Sequence, residues 1–177
     1  MLLGGARSGK SALAVRWGHA FDGPVTYIAT GWAGDDEMRE RIARHRAERP
    51  PHWTTVEQRR DLSGALASAD PAALVIVDCL TLWLANVLDD HADTDVPSAA
   101  DAIAVTAAGR TAPTVVISNE VGQGIVPGDP VTRRYRDLLG AVNATVTGHA
   151  ARAWLLVAGR VLALHPPPSH PTGTGLG

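Results

Sequence analysis

The sequence predicts an α/β fold: an open, mainly parallel β-sheet flanked by helices, in a single domain. Three observations predict it. Short apolar runs alternate with helical stretches along the chain. Those runs are continuous and rich in Val and Ile, which is how strands covered on both faces read. A glycine-rich turn heads the first helix within the first eleven residues.

The elements follow in order. Met1–Leu3 leave room for a short first strand only, and three residues make a poor central one. The first helix is read at Lys10–Ala20 and the next strand at Val25–Thr30 (VTYIAT). A helix over Asp36–Glu48 has Asp35 or Asp36 to cap it and acidic residues in its first turn, as the helix dipole prefers. Helix Leu62–Ala69, strand Ala73–Asp78 (ALVIVD) and helix Leu80–Asp89 come next. A polar connection, Asp90–Pro97, leads to helix Ala99–Arg110. Strand Thr114–Asn119, helix Val131–Ala150 and strand Ala153–Ala158 complete the pattern. Strand and helix in alternation imply right-handed crossovers. The domain is expected over residues 1–164. The tail 165–177 (HPPPSHPTGTGLG) is too poor in apolar residues to join a core and is expected to be disordered.

Composition narrows the function. The chain has 177 residues, is 45% hydrophobic and 19% charged, and carries a formal net charge of −2. That length suits one domain with a core large enough to fold without staples. Near-zero net charge gives no support to nucleic-acid or membrane-surface partners. Cys79 is the only cysteine, which excludes internal disulfides and Cys-cluster zinc sites. No apolar run approaches the length of about 18 residues that marks a spanning helix. A cytoplasmic protein without membrane insertion is the expectation.

Gly4, Gly5, Ala6, Arg7, Ser8, Gly9, Lys10 and Ser11 read GGARSGKS and satisfy G-x-x-x-x-G-K-[ST] in full. This is the pattern of a phosphate-binding P-loop, and with the alternating strands it predicts a RecA-like P-loop NTPase fold. Glycines let the backbone approach phosphates so that N–H groups point inward. The helix behind the loop adds its N-terminal partial charge. Lys10 would reach the β/γ oxygens and Ser11 would ligate Mg²⁺. Of 16 basic residues, 15 are arginine and only Lys10 is lysine. An arginine is planar and bulkier and does not replace an ammonium in this cradle. A carboxylate at the end of a neighbouring strand usually helps hold the metal through water; Asp78 suits that role, with a cap for the helix that begins near Leu80 as the alternative.

The helix after the second strand carries His45, which falls with Met38 and Ile42 at i, i+4 and i+7 and so shares one face with them. A histidine there is either packed against the core or available for chemistry. Seven of the 15 arginines fall between Arg39 and Arg60. Arg46 and Arg49 have no acid four residues before them and flank His45, where they could grip a triphosphate by paired N–H bonds. A neutral imidazole can attack phosphorus and form a covalent intermediate.

These motifs, with YIAT, with W-T-T-V-E after the histidine helix, and with NEVGQGIVP at Asn119–Pro127 followed by RRYRDLLGAVN, resemble one family over nearly the whole chain. It is the bifunctional adenosylcobinamide kinase / adenosylcobinamide-phosphate guanylyltransferase family of cobalamin synthesis. The resemblance implies two steps. ATP or GTP phosphorylates the aminopropanol hydroxyl of adenosylcobinamide. A histidine, here His45, then takes GMP from GTP and passes it to adenosylcobinamide phosphate, giving adenosylcobinamide-GDP. The resemblance also implies nucleotide contacts from Gly4–Ser11, from Ala29, Thr30 and Gly31, from Arg46, Ala47, Glu48 and Arg49, and from Glu57 and Asp78. It implies a homotrimer as well. Asn119, Glu120 and Gly122 follow a strand, where open α/β sheets place ligands. The rival reading from residues alone is a P-loop kinase of another small alcohol, with His45 silent. A nucleotide-driven DNA-binding motor would want a basic stripe with interleaved aromatic residues, which this sequence does not supply.

Overall fold

A computed structural model of the chain describes residues 1–34, 36–89 and 95–167. It contains a seven-stranded sheet in the order β3-β2-β4-β5-β1-β6-β7. The strands are β1 (Leu2–Gly4), β2 (Val25–Ala29), β3 (Thr54–Glu57), β4 (Leu74–Asp78), β5 (Thr114–Ile117), β6 (Ala153–Val157) and β7 (Arg160–Leu164). All neighbours pair parallel except β6 and β7. The helices are α1 (Lys10–Ala20), α2 (Asp36–Ala47), α3 (Leu62–Ser68), α4 (Leu80–Asp89), α5 (Val96–Ala108) and α6 (Pro130–His149). This is the expected α/β P-loop architecture.

Apolar residues face both ways along the strands. On β4, Leu74 and Ile76 pack with Leu13 and Ala14 of α1, whereas Val75 and Val77 pack with residues of α3 to α6. The continuous apolar runs therefore reflect a sheet covered on both faces. The helix after β1 lies on one face and the helix after β5 on the other. Ligands of open α/β sheets settle at the carboxyl ends of such diverging strands.

The short first strand is nonetheless central. Leu2 pairs with Ile117 of β5, and Leu2, Leu3 and Gly4 pair with Trp154, Leu155 and Leu156 of β6. All three residues are buried, so ladder bonds and packing from both sides compensate for its length.

Two strands escape the sequence reading. Thr54–Glu57 adds an edge strand to β2; its four residues are mostly exposed and carry little apolar signal. Arg160–Leu164 returns antiparallel on β6 through a turn in which Ala158 and Gly159 take φ of 48° and 74°. Two successive residues at positive φ make the tight hairpin turn whose twist matches its strands. Helix α5 begins at Val96, three residues before the expected Ala99, because the Asp95 carboxylate accepts from the Ser98 N–H and Pro97 fits the first turn. Similarly, Asp129 caps α6 by accepting from the Thr132 N–H at 2.8 Å. The expected cap residue Asp35, part of the connection at 90–94, and the tail from 168 onward lie outside the described residues.

Candidate functional site

The carboxyl ends of the parallel strands carry two groups of the singled-out residues. The first is the loop after β1. Gly4 takes φ +146° and Gly9 φ +102°, backbone that favours glycine. A Cβ on Gly4 would stand 2.4 Å from the Leu156 carbonyl oxygen, so that position is also sterically closed. Lys10 is buried, and its ammonium donates to the carbonyl oxygens of Gly4 at 2.9 Å and Gly5 at 2.7 Å. The loop is tied to the β6–β7 turn, since the Gly159 N–H donates to Ser8 O at 3.0 Å. Gly5, Ala6 and Arg7 are exposed around the crest, and Ser11 is half-buried in the first turn of α1.

The second group surrounds a cavity of about 60 Å³ between α2 and the ends of β2, β3 and β4. Register builds it: Ala29 of β2 pairs with Glu57 of β3 on one side and Asp78 of β4 on the other. The last turns of α2 lie over this row. His45 Nδ1 stands 3.8 Å from Asp78 Oδ2. Arg46 pairs with Glu57, and the Arg49 guanidinium stacks 3.7 Å from the centre of the Tyr27 ring, a cation–π contact. Tyr27 donates its hydroxyl to the Asp78 carboxylate. Burial, reinforced by that carboxylate, raises the Tyr27 phenol above its ordinary range. Gly31, Ile42, Cys79 and Leu82 complete the lining. Burial pushes the Cys79 thiol up to about 11.

The expected residues divide accordingly. Ala29, Gly31, His45, Arg46, Arg49, Glu57 and Asp78 all line this cavity. Thr30 does not. It is fully buried, and its hydroxyl binds the carbonyls of Asp78 and Cys79 and accepts the Cys79 N–H. It locks β2 to β4 and so fixes where Asp78 stands. Ala47 and Glu48 are exposed at the end of α2 and are not among the lining residues. Tyr27 was not singled out from the sequence, because in VTYIAT it reads as one more core residue of a buried strand. Its hydroxyl on Asp78 is visible only once β2 and β4 are paired.

Magnesium takes hard oxygen ligands, keeps several waters, and reaches proteins through one or two side chains plus substrate phosphates. The Ser11 hydroxyl and the Asp78 carboxylate are such donors and lie on the same edge of the sheet, so the donor chemistry fits. A larger cavity of about 710 Å³ opens at the opposite, amino edge, among Trp17, Phe21, His149 and Trp154. It contains none of the expected site residues. No helix among the described residues is long and apolar enough to cross a membrane.

A complete phosphate loop on a mainly parallel sheet, with a histidine and two arginines at the same edge, defines a P-loop nucleotide-binding α/β enzyme. The chain belongs to the cobinamide kinase / cobinamide phosphate guanyltransferase family, whose model matches residues 1–164. It is 41% identical over 167 residues to the bifunctional adenosylcobalamin biosynthesis protein CobP of Pseudomonas aeruginosa, covering 93% of this chain and 95% of that protein. It is 37% identical over 176 residues to the bifunctional adenosylcobalamin biosynthesis protein CobU of Escherichia coli K12, covering 90% and 95%. The protein is thus an enzyme of a bifunctional kinase and guanylyltransferase family of cobalamin biosynthesis.

Proposed function

We propose that the two activities share one sheet edge and divide its residues between them. In the kinase step the P-loop, Gly4–Ser11, cradles the triphosphate of ATP or GTP. Lys10 neutralises charge on the β/γ oxygens, and the aminopropanol hydroxyl of adenosylcobinamide takes the γ-phosphoryl group. In the transferase step His45 attacks the α-phosphorus of GTP, pyrophosphate leaves, and the phosphate of adenosylcobinamide phosphate then displaces the histidine to give adenosylcobinamide-GDP. Arg46 and Arg49 stabilise charge on the leaving pyrophosphate. Ala29, Gly31 and Glu57 shape the nucleotide pocket beside them, with Thr30, Ala47 and Glu48 as its supporting neighbours. Magnesium, which would neutralise phosphate charge, would be held by the Ser11 hydroxyl, with Asp78 contributing through water.

What carries this reading is His45, half-buried among Asp78, Arg46 and Arg49 at the edge that bears the P-loop. Such a setting places an imidazole beside a carboxylate with arginines at the same helix end. Assembly as a homotrimer, which the family resemblance implies, and a cytoplasmic location, which suits a biosynthetic enzyme, belong to the same proposal. The test is product analysis with adenosylcobinamide, Mg²⁺ and GTP. The unaltered chain yields adenosylcobinamide-GDP, whereas His45→Ala stops at adenosylcobinamide phosphate. Full guanylyl transfer by that variant would refute the assignment.

A further inference from the structure

Asp78 does not stand on a strand adjacent to β1. Asp78 ends β4, and β5 stands between β4 and β1; at the usual spacing this sets it about 10 Å from the first strand. Its carboxylate is turned to Tyr27 and His45. Glu120 follows β5, the immediate neighbour of β1, and its backbone N–H donates to Gly4 O at 3.1 Å. The segment is pinned from other sides as well. The Asn119 N–H donates to the Thr81 hydroxyl at 2.8 Å, and the Asn143 amide donates to Asn119 O at 3.0 Å. The Glu120 carboxylate accepts the Gly122 N–H at 2.7 Å, which sets its direction and leaves it a free oxygen. Glu120 therefore sits at the crevice where the helices after β1 and β5 diverge to opposite faces. Beside it the same loop exposes Val121, Ile125 and Val126, with Ile125 97% accessible. An apolar shoulder next to a fixed carboxylate suits an alcohol carried on a bulky body.

We infer that Glu120 is the catalytic carboxylate of the kinase step, receiving the proton of the substrate hydroxyl at the mouth of the P-loop. The hydroxyl oxygen bonds to the γ-phosphorus as the bridging β–γ P–O bond breaks. The electron pair of that bond leaves with the nucleoside diphosphate, and the hydroxyl proton passes to the Glu120 carboxylate. This inference rests on the P-loop reading above and divides the neighbours of the shared phosphate loop between the steps: the residues after β5 serve phosphoryl transfer, while those of α2 with β2 and β4 serve guanylyl transfer.

The experiment compares Glu120→Gln, Glu120→Asp and Ile125→Ser with the unaltered chain in two assays. One is phosphorylation of adenosylcobinamide; the other is labelling of the enzyme by α-labelled GTP without corrinoid. Glu120→Gln should lose roughly 100-fold or more in phosphorylation kcat while keeping its labelling and its KM for the triphosphate. Glu120→Asp should recover part of the loss. Ile125→Ser should raise KM for the corrinoid and keep kcat. Phosphorylation by Glu120→Gln within a few-fold of the unaltered rate would overturn the inference. So would loss of labelling or of triphosphate affinity together with phosphorylation, since Glu120 would then merely support the loop. An unaltered chain that phosphorylates but takes no label would defeat the guanylyl reading alone; the triphosphate KM then serves as the control, and the Glu120 comparison decides as before.

Discussion

His45 Nδ1 lies 3.8 Å from a carboxylate oxygen of Asp78, so the end of α2 closes over the end of β4. Asp78 in turn accepts the buried Tyr27 hydroxyl. The imidazole is therefore located by a strand pair, β2 and β4, whose ends Thr30 locks together. A helix with charged residues along most of its length thus delivers one half-buried ring to the sheet edge that bears the phosphate loop.

Lys10→Ala should impair both reactions by about 100-fold or more, because each brings a triphosphate to the same cradle and loses the same cation. The Lys10 ammonium also holds the carbonyls of Gly4 and Gly5, so the loop loses an internal tie. Kinase and guanylyl-transfer rates measured on the same preparation check this. Retention of either activity near the unaltered level would contradict a shared cradle.

Gly4→Ala should destabilise the fold by ~2 kcal/mol or more, since an added Cβ meets a backbone carbonyl that has no side-chain freedom to yield. The backbone there also takes positive φ. Urea unfolding should show a lowered midpoint with an unchanged slope. An unmoved midpoint would mean that β1 and β6 are less closely joined than their register implies.

Cys79 should resist alkylation in the folded chain at pH 8 and react readily in urea. Burial raises its thiol from an ordinary value near 9 to about 11, and the thiolate is the reactive form. The same shift fixes a sign for stability. The unfolded thiol ionises at lower pH than the folded one, so stability is retained below about pH 9 and falls as pH rises toward about 11. Burial of Tyr27 acts in the same direction. Unfolding curves across that range check it; stability that rises with pH there would contradict the burial of both groups.

Much of the fold is legible because buried strands and charged helices differ so plainly in composition. The runs VTYIAT and ALVIVD become β2 and β4 with ends within a residue or two of the reading. What escapes is structure held by neighbours rather than by local signal. Strand β3 has four mostly exposed residues and exists because β2 offers it a ladder. Strand β7 depends on a turn of Ala158 and Gly159, a pair that lacks the Asn-Gly or Asp-Gly signature of such turns. The P-loop was readable because its spacing is local, from Gly4 to Ser11. The second cluster was readable only in part. Arg46, which its own helix leaves without an acid four residues back, finds Glu57 eleven residues further on, and Tyr27 meets Asp78 fifty-one residues away. Pairings at that separation are set by strand order, which no local pattern encodes.

In the proposed transferase step the imidazole of His45 carries GMP between GTP and the corrinoid phosphate. Incubating the chain with GTP labelled at the α-phosphate, then digesting it and mapping the label, tests this most directly. An acid-labile, base-stable label is expected on the peptide that contains His45 and none on His45→Ala. A chain that takes up no label, or that carries it on another residue, would contradict the account.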